Sequence, residues 1–216
     1  MLVAIFIALL ILLYLYSLHT NIIEKINNCK HEETELCKIM DSSGSDKGTK
    51  HHNYTRVYYD LFKDIRNEKL NVFEVGIGTK NPDIPSSMIG FEYSKPGGSL
   101  YGWRDFFKNS IIYGADIDKD ILFTDDRIKT YYTNQLDPSV IRDMWNQIGD
   151  DVMFDIIIDD GLHTDEANYT FLMNSHHKLN SGGIYVIEDV PKVNEMHLKE
   201  YEKFFKYVKA VSYTHL

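Results

Sequence analysis

Two aspartates, a glycine and a histidine stand close together after an apolar run in the stretch "IIIDDGLHTDE" (156–166). Three consecutive isoleucines predict a strand that is buried on both faces. A buried charge is costly unless it is paired, hydrogen-bonded or bound to a metal. Two interpretations of the segment therefore stay open: a helix start, where Asp and Thr are ordinary capping residues, or a metal or catalytic site.

Other apolar segments of the chain also end in acidic residues, and they alternate with segments of helical periodicity. We predict further strands in "NVFEVGIG" (71–78), "SIIYGADID" (110–118) and "IYVIEDV" (184–190). The predicted helices cover residues 57–65, 101–109, 139–148, 165–179 and 196–209. Apolar strands without alternation predict a doubly wound α/β fold with a mainly parallel sheet. In such sheets, ligands bind beyond the carboxyl ends of the strands.

The first strand ends in "EVGIG" (74–78), where Gly76 and Gly78 let the backbone turn sharply and approach a ligand closely. Asp116 ends the next strand, where nucleotide-binding folds place an acid for ribose hydroxyls. A plain tight turn followed by a capping acid is the alternative. The third glycine of a dinucleotide fingerprint is absent, so we predict a ligand with ribose and adenine that needs no pyrophosphate cradle.

The strands that end at Asp160 and Asp189 are joined by one predicted helix, so we expect them to be neighbours in the sheet. Adjacent strands lie about 4.8 Å apart, which brings Asp160, Glu188 and Asp189 within reach of one divalent cation. An all-oxygen ligand set suits Mg²⁺, Mn²⁺ or Ca²⁺ rather than zinc. His163 then lies beside the cation and can accept a proton near neutral pH. A structural histidine at a helix start is the alternative.

Five motifs stand in order within residues 41–190: "SDKGTKHHNY" (45–54), "FEVGIGT" (73–79), "GGSLYGWRDFFKNSIIYGADID" (97–118), "FDIIIDDGLH" (154–163) and "GGIYVIEDV" (182–190). Together they resemble the class I S-adenosylmethionine-dependent methyltransferases, which have a Rossmann-like fold. More narrowly, they resemble the metal-dependent sugar O-methyltransferases of macrolide biosynthesis, the mycinamicin type. Leu162 stands where that type usually has a serine, which affects the substrate side of the pocket.

The resemblance implies S-adenosyl-L-methionine and Mg²⁺ (or Mn²⁺) as cofactors, and a small-molecule or glycan hydroxyl as the methyl acceptor. It implies that His163 is the general base and that Asp160, Glu188 and Asp189 hold the metal. It places Asp137 on the adenine side of the cofactor and Asp46 with Lys47 at its amino-acid end. The full predicted cofactor-binding set is Asp46, Lys47, Glu74, Gly76, Gly78, Asp116, Asp137 and Asp159.

The chain has 216 residues, of which 44% are hydrophobic, and a formal net charge of −9. The length predicts one globular domain, and the acidic balance argues against nucleic acid as a partner. The apolar run "LVAIFIALLILLYLYSL" (2–18) is long enough to span a bilayer. We predict a transmembrane anchor over residues 1–19 and a polar stalk over 20–40, with a cleaved signal peptide as the alternative. The protein is thus expected in a membrane as a single-pass protein, on a side that stays open.

The methyltransferase-like domain is predicted over residues 41–216. After Asp189 there is room for one helix, and "AVSYTHL" (210–216) stops where the antiparallel hairpin of such sheets is expected, so the domain is predicted to lack it. Two other functions stay open. One is a membrane-anchored, metal-dependent glycosyltransferase that uses "DID" (116–118) as its metal-binding triplet. The other is a non-catalytic methyltransferase-like binding module.

Overall fold

The computed structural model describes residues 33–86, 88–90, 92–190 and 199. The predicted anchor over residues 1–19, most of the predicted stalk and the predicted C-terminal helix, apart from residue 199, lie outside these ranges. Within the described ranges, no helix is both long and apolar enough to cross a bilayer.

Six strands form one sheet in the order β3-β4-β2-β1-β5-β6. Neighbouring strands pair in parallel, except that β3 runs antiparallel to β4. The mainly parallel sheet predicted from the apolar strands is therefore confirmed. The strands are β1 (Asn71–Val75), β2 (Ile111–Asp116), β3 (Thr124–Asp125), β4 (Ile128–Tyr132), β5 (Phe154–Asp159) and β6 (Leu179–Ile187).

Helices cover both faces of the sheet. Successive strand residues point to opposite sides of the sheet, so each central strand packs against helices on both faces. Val72, Ile112 and Ile156 face α1, α2 and α3 in one buried cluster. Phe73 and Ile157 face α4 and α5 in a second buried cluster on the other side. The helices are α1 (Glu35–Ser43), α2 (Thr55–Phe62), α3 (Gly98–Phe106), α4 (Pro138–Ile148) and α5 (Asp165–Met173), with short 3₁₀ helices at Lys119–Ile121 and His176–Lys178.

Residues 35–40, which the sequence analysis assigned to the polar stalk, form the first part of α1. The Thr34 hydroxyl caps this helix by accepting a hydrogen bond from the Cys37 backbone N–H at 3.2 Å. Leu36, Cys37 and Met40 are fully buried against the rest of the domain. The domain therefore includes these residues, and the boundary predicted at residue 41 is corrected. The polar residues between the buried positions concealed the apolar side of the helix.

The region between α5 and β6 also differs from its prediction. The predicted helix over 165–179 ends at Met173, and "NSGG" (180–183), predicted as a helix exit, lies inside β6. Leu179 pairs with Phe154, whereas Ile184 pairs with Ile156, so β6 carries extra residues between these two pairs. Gly182 has φ +85°, a conformation that glycine adopts without steric cost. The glycines thus form a bulge rather than a helix end.

Strands β1 and β5 are neighbours in the middle of the sheet, although three strands separate them in the chain. The chain therefore changes direction across the sheet at this point, which is where open α/β sheets bind ligands. β5 and β6 are neighbours too, as predicted, with Asp159 opposite Ile187. The Glu188 N–H continues the ladder by donating to the Asp159 carbonyl at 2.8 Å. The acidic ends of both strands consequently meet at one edge.

Candidate active site

A cleft opens at the carboxyl ends of β1, β2 and β5. Its polar floor is formed by the ends of β1 and β2, and its walls include the apolar residues Ile84, Pro85, Met88 and Leu162. Six residues predicted to bind the cofactor or the metal line this cleft: Asp46, Glu74, Gly76, Gly78, Asp116 and Asp160.

The two glycines of the β1 turn have different structural roles. Both lie in the left-handed region, with φ +84° for Gly76 and +81° for Gly78. A Cβ at Gly76 would lie 2.0 Å from the Asp160 carbonyl oxygen, and one at Gly78 would lie 2.2 Å from the end of the Met88 side chain. Gly76 therefore lets the ends of β1 and β5 approach each other, whereas Gly78 leaves room beside the cleft.

Asp116 and Glu74 are held in place by donors from the chain itself. Asp116 accepts backbone N–H bonds from Ile77 and Asp118, both at 2.9 Å. Glu74 accepts a bond from the Ser99 hydroxyl at 2.7 Å and another from the Trp103 indole. Burial raises the pKa of Asp116 and of Glu74, and these donors act against that rise. Both carboxylates thus have fixed orientations at the edge of the cleft.

Asp118, which the glycosyltransferase interpretation combines with Asp116, is buried and bonded to Thr79 and to the Asp120 N–H. Neither Asp116 nor Asp118 is among the described residues whose ligand atoms converge as a metal site would require. The "DID" triplet therefore serves to shape the loop after β2.

The loop after β4 contributes Thr133, Asn134 and Gln135 to the cleft, but not Asp137. Asp137 is the N-cap of α4, where one carboxylate oxygen accepts the Ser139 N–H at 2.8 Å. The Ser139 hydroxyl, which donates to the same oxygen at 2.6 Å, and the backbone N–H groups of Ser139 and Val140 hold the pKa of Asp137 below its usual range. The structure thus places Asp137 at a helix cap rather than at the adenine side of the cleft.

Gln135 connects this loop to the turn after β5. Its amide N–H donates to Asp159 at 2.6 Å, and its carbonyl oxygen accepts the Leu162 N–H at 2.7 Å. Asp159 is almost fully buried beneath the cleft and does not line it. Burial raises the pKa of Asp159 to about 7, although the bond from Gln135 opposes the rise. The segment "DDGLH" (159–163) is therefore fixed from below by a residue on another loop.

Beside the cleft lies a second cluster, here called the acidic corner and defined as Asp160, His163, Glu188 and Asp189. One ligand atom each of Asp160, His163 and Asp189 lies within 4.8 Å of the others. His163 Nε2 is 3.7 Å from Asp160 Oδ1 and 4.0 Å from Asp189 Oδ2. Two carboxylate oxygens and an imidazole nitrogen thus face one common space.

The second carboxylate oxygen of Asp160 and that of Asp189 accept hydrogen bonds from residues that precede helix α2. Asp160 Oδ2 accepts a bond from Lys47, and Asp189 Oδ1 accepts one from the Tyr54 hydroxyl. Glu188 differs from them, because its oxygens accept bonds from Tyr58 and Lys47. Glu188 is thus not among the residues whose ligand atoms converge on the space beside His163. The prediction that Glu188 is a metal ligand is therefore not matched by this arrangement.

The backbone of the acidic corner is strained at two positions. His163 has φ +56° and Asp189 has φ +46°, and a non-glycine residue in this region costs on the order of 1–3 kcal/mol. Such strain persists only where the surrounding structure imposes it. Thr164 caps α5 by accepting the Ala167 N–H at 3.2 Å, so the helix start needs neither Asp160 nor His163. The helix start predicted within residues 156–166 is thus confirmed at Thr164, while Asp160 and His163 face each other in the acidic corner.

Burial also sets the protonation tendencies in the acidic corner. It lowers the pKa of His163 below its usual range, while Asp189 and Glu188 oppose the change. The imidazole therefore favours its neutral form, which can accept a proton or coordinate a cation. Burial, together with Glu188, raises the pKa of Asp160, and the Lys47 ammonium opposes this rise.

Three residues of the site were missed by sequence reasoning: Tyr54, Tyr58 and Gln135. The two tyrosines are four residues apart, and their hydroxyls reach Asp189 and Glu188 respectively. The sequence showed this spacing in "NYTRVYY" (53–59), but an aromatic pair at helical spacing is usually assigned to a core. Gln135 had no signal, since its partners lie 24 and 27 residues further along the chain.

The donor set of the acidic corner fits a hard divalent cation. Carboxylate oxygens, which Asp160 and Asp189 supply here, are the ligands that Mg²⁺ and Mn²⁺ prefer in proteins. The cleft fits a nucleoside-type ligand, because Glu74, Asp116, Asp160 and the loop 133–135 all line it. The residues present therefore suit both cofactors predicted from the sequence.

The sheet order, the glycine turn of β1 and the acids after β2 and β5 are those of the class I methyltransferases. More narrowly, the chain is similar to enzymes that methylate sugars. It is 35% identical over 139 residues to 8-demethyl-8-alpha-L-rhamnosyl tetracenomycin-C 2'-O-methyltransferase of Streptomyces olivaceus, covering 64% of this chain and 33% of that protein. It is 31% identical over 163 residues to mycinamicin VI 2''-O-methyltransferase of Micromonospora griseorubida, covering 75% and 37%.

Solved structures show the same relationship. The MycE methyltransferase of the mycinamycin biosynthetic pathway, in complex with Mg and SAH, matches with a TM-score of 0.58 and 32% identity over 73% of this chain and 40% of that chain. No protein-family model matches the sequence. The resemblance to class I methyltransferases of the macrolide sugar type is confirmed, and so are S-adenosylmethionine and Mg²⁺ as cofactors of methyltransferases of this type.

The chain spans only 33% to 40% of the length of these curated relatives. The match therefore concerns only part of each relative. The activity, acceptor and partners of the whole protein accordingly remain matters for proposal, and the membrane anchor stays a prediction.

Proposed function

We propose that the chain is a divalent-metal-assisted, S-adenosylmethionine-dependent O-methyltransferase that acts on a sugar hydroxyl or another small-molecule hydroxyl. The observation that carries this proposal is the position of the acidic corner directly beside the glycine cleft, with Asp160 common to both. A methyl donor in the cleft and a hydroxyl at the acidic corner would be adjacent. The names of the similar enzymes, which specify sugar hydroxyls, support the acceptor class.

A cation held at the acidic corner would supply Lewis-acid polarisation of the acceptor hydroxyl, and S-adenosylmethionine would supply the methyl group. Asp160 Oδ1 and Asp189 Oδ2 are the oxygens available to hold the cation, because Lys47 and Tyr54 occupy the other two. His163 Nε2 faces the same space and accepts the hydroxyl proton. Glu74 and Asp116 both line the cleft and orient the donor there, so that most of the remaining acceleration comes from positioning.

The first test is calorimetry on the full chain with SAH and with MgCl₂. We expect the wild-type protein to bind both, and the Asp160→Asn variant to bind Mg²⁺ at least about tenfold more weakly, since it loses a charged ligand. Asp151→Ala is the matched control, because Asp151 is exposed in the loop before β5, at the opposite edge of the sheet. A well-folded wild-type protein that binds neither SAH nor Mg²⁺ would contradict the proposal.

A second test separates the two roles open to His163. With a simple α-L-rhamnoside as the acceptor probe, His163→Gln should lower the rate of SAH release by about 100-fold or more, as expected for loss of a general base. Its Mg²⁺ affinity should stay near the wild-type value. A strong loss of Mg²⁺ affinity in this variant would instead assign His163 to the metal ligands.

A further inference from the structure

Lys47 is the most deeply buried cation of the site. Its side chain is 1% exposed, and its ammonium group lies 3.4 Å from Glu74 Oε1 and 2.9 Å from Glu188 Oε1, and bonds to Asp160 Oδ2. Among the described residues, no other lysine or arginine forms an ion pair with these three carboxylates. One positive charge is therefore shared by the ends of β1, β5 and β6.

Lys47 does not line the cleft, whereas its neighbours Ser45 and Asp46 do. The predicted role of Lys47 at the amino-acid end of the cofactor is thus not supported by the arrangement. Any influence on a ligand must pass through Glu74, at the cleft, or through Asp160 and Glu188, at the acidic corner.

The buried carboxylates explain why the Lys47 ammonium group is needed. A buried carboxylate without a partner is costly, and removal of one partner of a buried ion pair lowers the stability of the fold by several kcal/mol. The Lys47 ammonium group is the positive partner of these carboxylates, at 2.9 Å from Glu188 Oε1 and 3.4 Å from Glu74 Oε1. This charge lies next to the group of oxygens proposed to hold a divalent cation.

We propose that Lys47 is a positioning residue whose ammonium group supplies part of the positive charge that a bound metal ion would supply. It holds Glu74, Asp160 and Glu188 together, and it opposes the entry of a divalent cation at the acidic corner. This inference rests on the proposed function. It makes the cleft and the acidic corner one electrostatic unit, so a change of charge at Glu74 alters metal affinity although Glu74 does not face the metal space. The cluster remains folded without metal because Lys47 is present.

The test uses Lys47→Met in the full chain, with Lys69→Met, an exposed residue before β1, as the control. We expect Lys47→Met to unfold at a lower temperature in EDTA and to gain more from added MgCl₂ than the wild-type protein does. Its Mg²⁺ affinity, measured by calorimetry, should rise at least about tenfold, because a unit charge near the cation is removed. A merely structural lysine would leave that affinity unchanged or weaken it, and such a result in a folded variant would overturn the inference.

Glu74→Gln keeps the test decisive if Lys47→Met does not fold. Its amide oxygen can still accept the bond from the Trp103 indole and its amide nitrogen can donate to the Ser99 hydroxyl, while one negative charge is lost. Titrated with MgCl₂ in the absence of SAH, this variant should bind Mg²⁺ about threefold to tenfold more weakly than wild type. Unchanged affinity in Glu74→Gln would contradict the shared cluster. The wild-type titration distinguishes this inference from the proposed function. A wild-type protein that does not bind Mg²⁺ would count against the proposed function itself.

Discussion

The cleft and the acidic corner lie side by side but are organised in different ways. In the cleft, backbone geometry dominates: Gly76 and Gly78 adopt left-handed conformations, and Asp116 is oriented by two backbone N–H groups. At the acidic corner, side chains dominate: Lys47 and two tyrosines, far away in the chain, hold the carboxylates. The cleft is therefore a product of local sequence, and the acidic corner a product of tertiary packing.

This difference predicts different sensitivities. The cleft should respond to changes of shape, because its backbone passes within van der Waals distance of a neighbouring strand end. The acidic corner should respond to changes of charge, because two of its carboxylates, Asp160 and Glu188, share the buried ammonium group of Lys47. Four substitutions test this contrast, beginning with the one of largest expected effect.

Gly76→Ala should be the most damaging substitution, because its Cβ would lie 2.0 Å from the Asp160 carbonyl oxygen. Backbone strain and overpacking together should lower the free energy of unfolding by about 3 kcal/mol or more. Gly182→Ala is the matched control, with φ +85° against +84° and nothing within 4 Å of the new Cβ. It should cost only about 1 kcal/mol. Equal losses in urea denaturation would show that strain alone, rather than contact between strands, requires Gly76.

Tyr58→Phe should weaken the acidic corner without changing its shape. The substitution removes the hydroxyl that donates to buried Glu188, and a hydrogen bond to a charged group contributes about 1.5–3 kcal/mol. Tyr59→Phe, on the same helix, is the control, because its hydroxyl forms no hydrogen bond with the described residues. Urea denaturation that gives the same stability for both variants would argue that Glu188 is held by Lys47 alone.

Gln135→Leu should disturb the connection between the two regions. The leucine leaves Asp159 without its amide donor and the Leu162 N–H without its acceptor, at a cost of about 2 kcal/mol. Because the turn 159–163 carries Asp160 and His163, Mg²⁺ affinity should fall with stability. Gln147→Leu, an exposed change on α4, should alter neither quantity. If calorimetry shows an unchanged Mg²⁺ affinity for Gln135→Leu, the turn is positioned without this residue.

The same contrast explains what the sequence could predict. The apolar strands, the acidic strand ends and the "EVGIG" turn are local patterns, and they led to the sheet and to the cleft. Asp137 caps α4 and does not line the cleft, since an acid before Pro138 is also a good helix cap. The partners of Lys47 lie 113 and 141 residues away, a separation at which no local pattern reveals contact. Helix α1 was missed because polar residues surround its three buried positions.

The Glu35–Arg66 pair supplies the smallest expected effect and the reference for the acidic corner. Two hydrogen bonds join Glu35 in α1 to Arg66 in the loop before β1. This ion pair has the same chemistry as the pair of Lys47 with Glu188, but the Glu35 side chain is 52% exposed. Hydrogen bonding to Arg66 lowers the pKa of Glu35, so the pair stabilises the fold above the ordinary pKa of glutamate and loses this contribution as the pH falls through the lowered value. Glu35→Gln should therefore cost about 0.5 kcal/mol at pH 7, and the difference from wild type should be lost in acid, as the pH falls below the lowered pKa of Glu35. Glu68→Gln, in the same loop as Arg66 and also exposed, should show no such difference at either pH. If thermal unfolding instead shows Glu35→Gln to be as costly as Tyr58→Phe, burial does not explain the importance of the charges at the acidic corner.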